Sequence, residues 1–228
     1  MLTDRKKEIY DLLCDKKNLS VSALSKQLYV CEMTIRRDLK ELEAHGYIKR
    51  YRGGAVIASE GSILPVDSRM LRDENEKRQL AQKAAQYLFN NGSIFIDSGS
   101  TCQYIIPHIK KFENITVITN SVNTVLSASA LHIPCQMLGG TYYEPDMCFT
   151  GSVTEQYAEN INVDVAFFSA LGISETGIIS DSFIELVTLR QKIMKNAKKN
   201  IFLFEKAKLG KTFLHTICRQ DEVDIIII

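Results

Sequence analysis

The stretch that decides the fold runs Glu32-Met33-Thr34-Ile35-Arg36-Arg37-Asp38-Leu39-Lys40-Glu41-Leu42-Glu43 to Gly46, then Tyr47-Ile48-Lys49-Arg50-Tyr51-Arg52-Gly53-Gly54-Ala55-Val56-Ile57. Ile35, Leu39 and Leu42 recur at i, i+4 and i+7, the spacing of one helical face, while Thr34, Arg36, Arg37 and Lys40 fall off that stripe. A helix is predicted over 32–45, closed by Gly46, because a glycine just past the last turn takes the left-handed conformation at little cost. The two short runs on either side of Arg52-Gly53-Gly54 read as strands of a hairpin with basic residues at its tip.

Upstream, Leu2, Ile9, Leu12 and Leu13 predict a first helix with Thr3 as its N-cap, ending at Lys16-Lys17-Asn18. Leu19-Ser20-Val21 reads as extended, and Ser22 as the cap of a second helix carrying Ala23, Leu24 and Leu28. Three helices followed by a hairpin make a winged helix-turn-helix over residues 1–57, a module whose third helix enters the DNA major groove while the wing touches the backbone or the minor groove. Thr34, Arg36, Arg37 and Lys40 on the helix, with Arg50 and Arg52 on the wing, are the candidate DNA-binding residues. A helix anchored by its inward stripe can hold such groups toward phosphates and base edges. The charge distribution agrees. Net charge is only +1, yet residues 1–57 hold 12 Lys and Arg against 8 Asp and Glu, a net of +4, and the remaining 16 basic and 19 acidic residues give −3.

Met33-Thr34-Ile35-Arg36-Arg37-Asp38-Leu39, with Leu42-Glu43, Gly46 and Arg52-Gly53-Gly54-Ala55, resembles the signature of the DeoR family of bacterial transcription regulators, in which the helix with the paired arginines reads DNA. Cys31 stands where that family has a serine or similar cap, which implies a helix start weaker by about 1 kcal/mol. Asp38 would repel phosphate; it reads either as orienting an arginine through a salt bridge or as an exposed i,i+4 charge.

Residues 58–73, with Ser59, Gly61, Ser62 and Pro65, lack helical periodicity and read as a linker. From 74 to 228 the pattern changes. A long helix is predicted over Glu74–Phe89, followed by apolar runs of the buried-strand type at 94–96, 115–118, 133–138, 163–168, 201–204 and 223–228, with helical stretches between the first few. This predicts an α/β domain with a largely parallel sheet. Ligands of such sheets bind outside the carboxyl ends of the strands, where small polar residues collect here: Asp97-Ser98-Gly99-Ser100-Thr101 after the first strand and Asn120-Ser121 after the second. Backbone N–H groups, hydroxyls and a glycine at a helix start suit a phosphate.

The resemblance extends through about residues 75–228. It implies a fold of the sugar-phosphate isomerase and CoA-transferase type that senses a phosphorylated sugar. Asp97 to Thr101 corresponds to the phosphate loop, Asn120-Ser121 to a second loop, Gly139 and Gly140 to a third, Gly151 to a further loop glycine, and Lys208 to the lysine of an Asp-x-x-Lys motif whose acid is here Glu205. Ser169 and Leu171 depart from the pattern. So do Phe183, Leu186 and Arg190, where an Asp-x-x-Glu-x-x-x-Lys run would fall; a slip of one or two residues would recruit Asp181 and Glu185 instead. Without carboxylates at 183 and 186, anion binding with poor sugar discrimination is expected. The chain stops at Ile228 inside an apolar run, where the resembled family continues, so a truncated sensor domain is expected.

The reading is therefore a DNA-binding regulator, a repressor of a sugar-metabolism operon, with operator DNA and a phosphorylated sugar as partners and a homo-oligomeric state that presents two reading helices to paired half-sites. The competing reading is a sugar-phosphate isomerase or deaminase with an appended helical module, which needs a positioned general base; Asp97 is the one acid in the loop. At 45% hydrophobic and 24% charged, the composition excludes disorder. No apolar run reaches the ~18 residues of a membrane helix and the amino end lacks a signal-peptide core, so a cytoplasmic protein is expected. Six cysteines without a CxxC pair encode neither a disulfide framework nor a zinc knuckle, and no cofactor motif is present.

Overall fold

Lys17 and Tyr29 adopt left-handed backbone, and these two reversals divide the amino-terminal segment into α1 (Asp4–Lys16), β1 (Asn18–Ser20), α2 (Val21–Leu28) and α3 (Glu32–Ala44). The computed structural model describes residues 4–44, 46–57 and 65–228. The hairpin of β2 (Ile48–Tyr51) and β3 (Gly54–Ile57) follows, and β1 joins it on the far side of β3, giving an antiparallel sheet of order β1-β3-β2. The predicted inward stripe holds: Ile35, Leu39 and Leu42 are buried in one core with Ile9, Leu13 and Leu24. The ring of Tyr10 stands edge-on to Tyr47 at 5.5 Å.

Several local readings change. Ser20, not Ser22, caps α2: its extended backbone lets the hydroxyl accept from the Ala23 N–H at 3.1 Å, which places Val21 inside the helix. Asp38 does orient an arginine, but that arginine is Arg5 on α1, whose Nε and Nη2 donate to its two carboxylate oxygens at 2.6 and 3.2 Å. Thr3, Ser59, Gly61 and Ser62 lie outside the described residues. Within the stretch read as linker, Val66–Leu71 form α4. It belongs to the first unit, because Leu71 packs on that core and the Tyr10 hydroxyl donates to the Ser68 carbonyl at 3.3 Å. The chain divides into two units at residues 72 and 73.

The second unit opens with α5 (Glu74–Ala84), shorter than the predicted 74–89. Its end tightens into a 3-10 turn at Ala85–Tyr87 and Leu88 is extended, so the last carbonyls are satisfied before the chain turns into the sheet. Next come β4 (Ser93–Ile96), α6 (Ile106–Ile109), β5 (Thr116–Thr119), α7 (Val122–Ala130) and β6 (Cys135–Met137). The hairpin β7 (Thr141–Tyr143) and β8 (Cys148–Thr150) leads to α8 (Ser152–Glu159) and β9 (Val165–Phe168). The last elements are β10 (Gly172–Ile173), β11 (Ile178–Asp181), α9 (Ile184–Asn196), β12 (Asn200–Leu203), β13 (His215–Arg219) and β14 (Ile225–Ile227).

Six of these strands form a wholly parallel sheet of order β14-β12-β9-β4-β5-β6. Period-two alternation explains why its central strands are apolar throughout. Ile94, Ile96, Val165, Phe167, Ile201 and Leu203 point into one core, while Phe95, Ala166, Phe168 and Phe202 point into the core on the other face. A second, antiparallel sheet of order β10-β11-β13, and the β7–β8 hairpin, had no counterpart in the sequence reading. Replacing Leu39 by Ala is expected to cost the first unit about 2–5 kcal/mol, read by denaturant unfolding of the full chain; an unchanged profile would contradict the assignment of that core.

Candidate functional site

The first candidate region is the outward side of α3. Arg36, Arg37 and Lys40 are exposed there, opposite the buried stripe. Arg36 leans onto Glu32 at 3.1 Å, whereas Arg37 acts on Glu41 through its charge alone and Lys40 is exposed. Cys31 precedes the helix, and its sulfur lies 3.2 Å from the Thr34 hydroxyl; that contact, with Thr34's backbone, holds the thiol below its ordinary value. Thr34 is thus half-buried and already engaged. On the wing, Arg50 turns back on Glu43, with both its backbone N–H (2.8 Å) and its Nε (2.7 Å) donating to that carboxylate. Arg52 stays exposed at the tip.

The second region lies at the carboxyl ends of the parallel strands. Ile96 on β4 pairs with Thr119 on β5 and with Phe167 on β9, and Phe202 on β12 pairs with Phe168. Asp97, Asn120 and Ser169 follow these pairs directly and Glu205 lies three residues past Phe202, so all four emerge along one edge. Asp97, Ser98, Ser100, Thr101, Asn120 and Ser121 are all buried.

Arg190 of α9 enters this edge and is itself buried. Its guanidinium reaches Asp97 Oδ2 at 3.1 Å and Asp181 Oδ2 at 2.7 Å. Burial opposes its charge, and the two carboxylates more than restore it. Asp97 Oδ1 and Asn120 Oδ1 are buried without a hydrogen-bond partner among the described residues. Beside them, Glu205 collects three groups: Lys208 at 2.7 Å, Lys77 of α5 at 3.4 Å, and the Thr101 hydroxyl, which donates at 2.6 Å. Lys208 also donates to Ser169 Oγ at 2.8 Å. Burial pushes the Glu205 carboxyl up, but the two ammonium groups outweigh it and hold the group at about 2. Burial pulls the Lys77 ammonium down, and Glu205 restores part of its charge.

Other predicted site residues serve the backbone. Ser121 caps α7 by accepting from the Thr124 N–H at 3.2 Å, and the Asn120 amide donates to the Phe149 carbonyl at 3.2 Å. Gly139 and Gly140 lie where the Thr154 hydroxyl donates to the Gly139 carbonyl at 2.7 Å, and a Cβ on Gly140 would collide with the Thr154 hydroxyl oxygen. Gly151 takes a φ of +90° at the start of α8. Of the positions read as departures, Arg190 joins the cluster. Phe183 instead stacks on Tyr143 with ring centroids 4.0 Å apart, and Leu186 is buried. Asp181, two positions before Phe183, is the carboxylate that meets Arg190 on this side. Lys77 went unread, because a single lysine on a helix carries no signal of burial.

A winged helix with a basic outward face, joined to a parallel α/β unit with a charged strand-end cluster, defines a DNA-binding transcription regulator with a sensor domain. Residues 5–61 match the DeoR-like helix-turn-helix domain and residues 72–228 the DeoR C terminal sensor domain, so the chain belongs to the DeoR family. It is 30% identical over 226 residues to the HTH-type transcriptional regulator GolR of Listeria innocua, covering 98% of this chain and 89% of that protein. It is 27% identical over 229 residues to a lactose phosphotransferase system repressor of Staphylococcus epidermidis (98% and 90% covered) and 29% identical over 232 residues to the L-fucose operon activator of Escherichia coli (100% and 95% covered). Among the described residues, no helix is long and apolar enough to cross a membrane.

Two outcomes follow from the cluster. Arg190→Met leaves Asp97 and Asp181 buried without their cation and is expected to cost the sensor unit about 3–5 kcal/mol, read by denaturant unfolding. Because the folded Glu205 carboxyl lies at about 2 against an ordinary 4.5, the stability it contributes is complete above the ordinary value and lost as pH falls through the folded one. Thermal midpoints measured from pH 5 to 2 should therefore decline, and less steeply in Glu205→Gln; equal slopes would contradict the pairing.

Proposed function

We propose that this chain represses a sugar-metabolism operon and that a phosphorylated sugar bound at the strand-end cluster changes its affinity for operator DNA. The observation that carries the sensor reading is the pair of buried, unpartnered acceptors Asp97 Oδ1 and Asn120 Oδ1, which emerge from paired positions on adjacent strands. An unsatisfied buried acceptor is costly, and a ligand that donates hydroxyl hydrogens to both removes the cost. The neighbouring Ser98 to Thr101 loop and the Lys208 ammonium suit the phosphate of the same ligand. Sugar hydroxyls thus have acceptors without the carboxylates expected at 183 and 186.

Binding is favoured over isomerase or deaminase chemistry. Asp97, Asp181 and Glu205 are each held by a cation, an arrangement that suits recognition better than proton abstraction. Thr34, Arg36, Arg37, Lys40, Arg50 and Arg52 are the proposed DNA contacts, and a homo-oligomer would present two copies of α3 to paired half-sites.

Two measurements test this reading. Arg37→Ala should weaken duplex binding by about 1–3 kcal/mol if it reads a base, and unchanged affinity in the Arg36→Ala, Arg37→Ala double variant would sink the DNA assignment. Sugar phosphates or inorganic phosphate should raise the thermal midpoint of the parent. The Ser100→Glu, Lys208→Ala double variant should lose that protection, and equal protection in both would move the site elsewhere.

A further inference from the structure

We propose that Met33 is a base-reading residue of α3 and that it takes the C5 methyl group of thymine, making the operator's thymine methyls a determinant of specificity. A helix turns about 100° per residue. On that geometry the buried residues Ile35, Asp38, Leu39 and Leu42 define one side, and Met33, Arg37 and Lys40 all fall within about 30° of the opposite direction. These three make one outward stripe, at i, i+4 and i+7.

Met33 is the second residue of α3, and helices of this type touch base edges through their amino-terminal residues. Arg37 and Lys40 lie further along, where a cation can reach a guanine edge or a phosphate. Met33 is the one large apolar side chain on the stripe and is 77% exposed. Its neighbours each have a partner within the chain: Arg36 leans onto Glu32 at 3.1 Å, and the Thr34 hydroxyl meets Cys31 at 3.2 Å. Asp38, the acid within the motif, is held on the inner side by Arg5, so the helix is fixed in rotation with Met33 outward. The major-groove edge of DNA offers one apolar feature, the thymine methyl. A flexible thioether adapts to such a contact without demanding an exact geometry.

The test uses the full chain and a duplex selected by the parent from a random-sequence pool. That duplex is synthesised with thymine and again with uracil, which pairs identically but lacks the methyl. Fluorescence anisotropy at fixed salt should show the parent losing about fourfold in affinity for each methyl that Met33 covers. Met33→Ala should bind both duplexes alike, with the parent's salt dependence, since its phosphate contacts remain. Met33→Leu, which keeps an apolar tip, should retain the discrimination. The proposal is overturned if the parent binds both duplexes equally, or if Met33→Ala loses as much as the parent on the change to uracil; in either case Met33 is an ordinary exposed methionine.

Discussion

Arg190 holds the strand-end edge of the sensor unit together. A buried guanidinium is tolerable only with carboxylates in direct contact, and its two come from distant parts of the chain: Asp97 from the end of β4 in the parallel sheet and Asp181 from the end of β11 in the antiparallel one. The arginine itself projects from α9. One side chain thus ties a helix to both sheets at the carboxyl ends of the parallel strands. It also fixes which oxygen of Asp97 is occupied, and the second oxygen is left without a hydrogen-bond partner among the described residues.

A second buried charge group sits beside it and has a different partner in the chain. Glu205 is shared by Lys208, which follows β12, and by Lys77, in the first turns of α5. The adjacent Glu76 carboxylate accepts the Lys206 N–H at 2.9 Å. Residues 73–77 open the sensor unit, directly after the first unit ends at Arg72. Glu205 thus joins the start of α5 to the segment that follows β12.

Much of this was legible in the sequence, for reasons that differ by element. The stripe Ile35-Leu39-Leu42 and the glycine-centred hairpin are local patterns, and local patterns survive folding. The parallel strands were legible because both faces are buried, which makes runs such as Ile94-Phe95-Ile96 apolar throughout. The antiparallel sheet escaped because β10 has only two residues and β11 ends in Ser180 and Asp181, whose polarity conceals a strand. Ser22 was misread for Ser20 because either serine could precede an apolar helix; only the backbone angle at residue 20 decides. The loop Asp97 to Thr101 is marked in the sequence by small polar residues after an apolar run, whereas Lys77 and, in the first unit, Arg5 are joined to their partners across long stretches of sequence. Contacts of that kind leave no periodic trace.

The claim on which this account rests is that one site in the sensor unit and one face of α3 are energetically linked. The direct measurement is the operator affinity of the full chain, by fluorescence anisotropy, across a titration with a panel of sugar phosphates, for the parent and for Lys208→Ala. The expected result is a saturable change in operator affinity of about 5- to 150-fold with at least one sugar phosphate, absent or displaced to much higher concentration in Lys208→Ala. Operator affinity that stays constant across the panel while the same compounds bind the protein, or an undiminished response in Lys208→Ala, would contradict it.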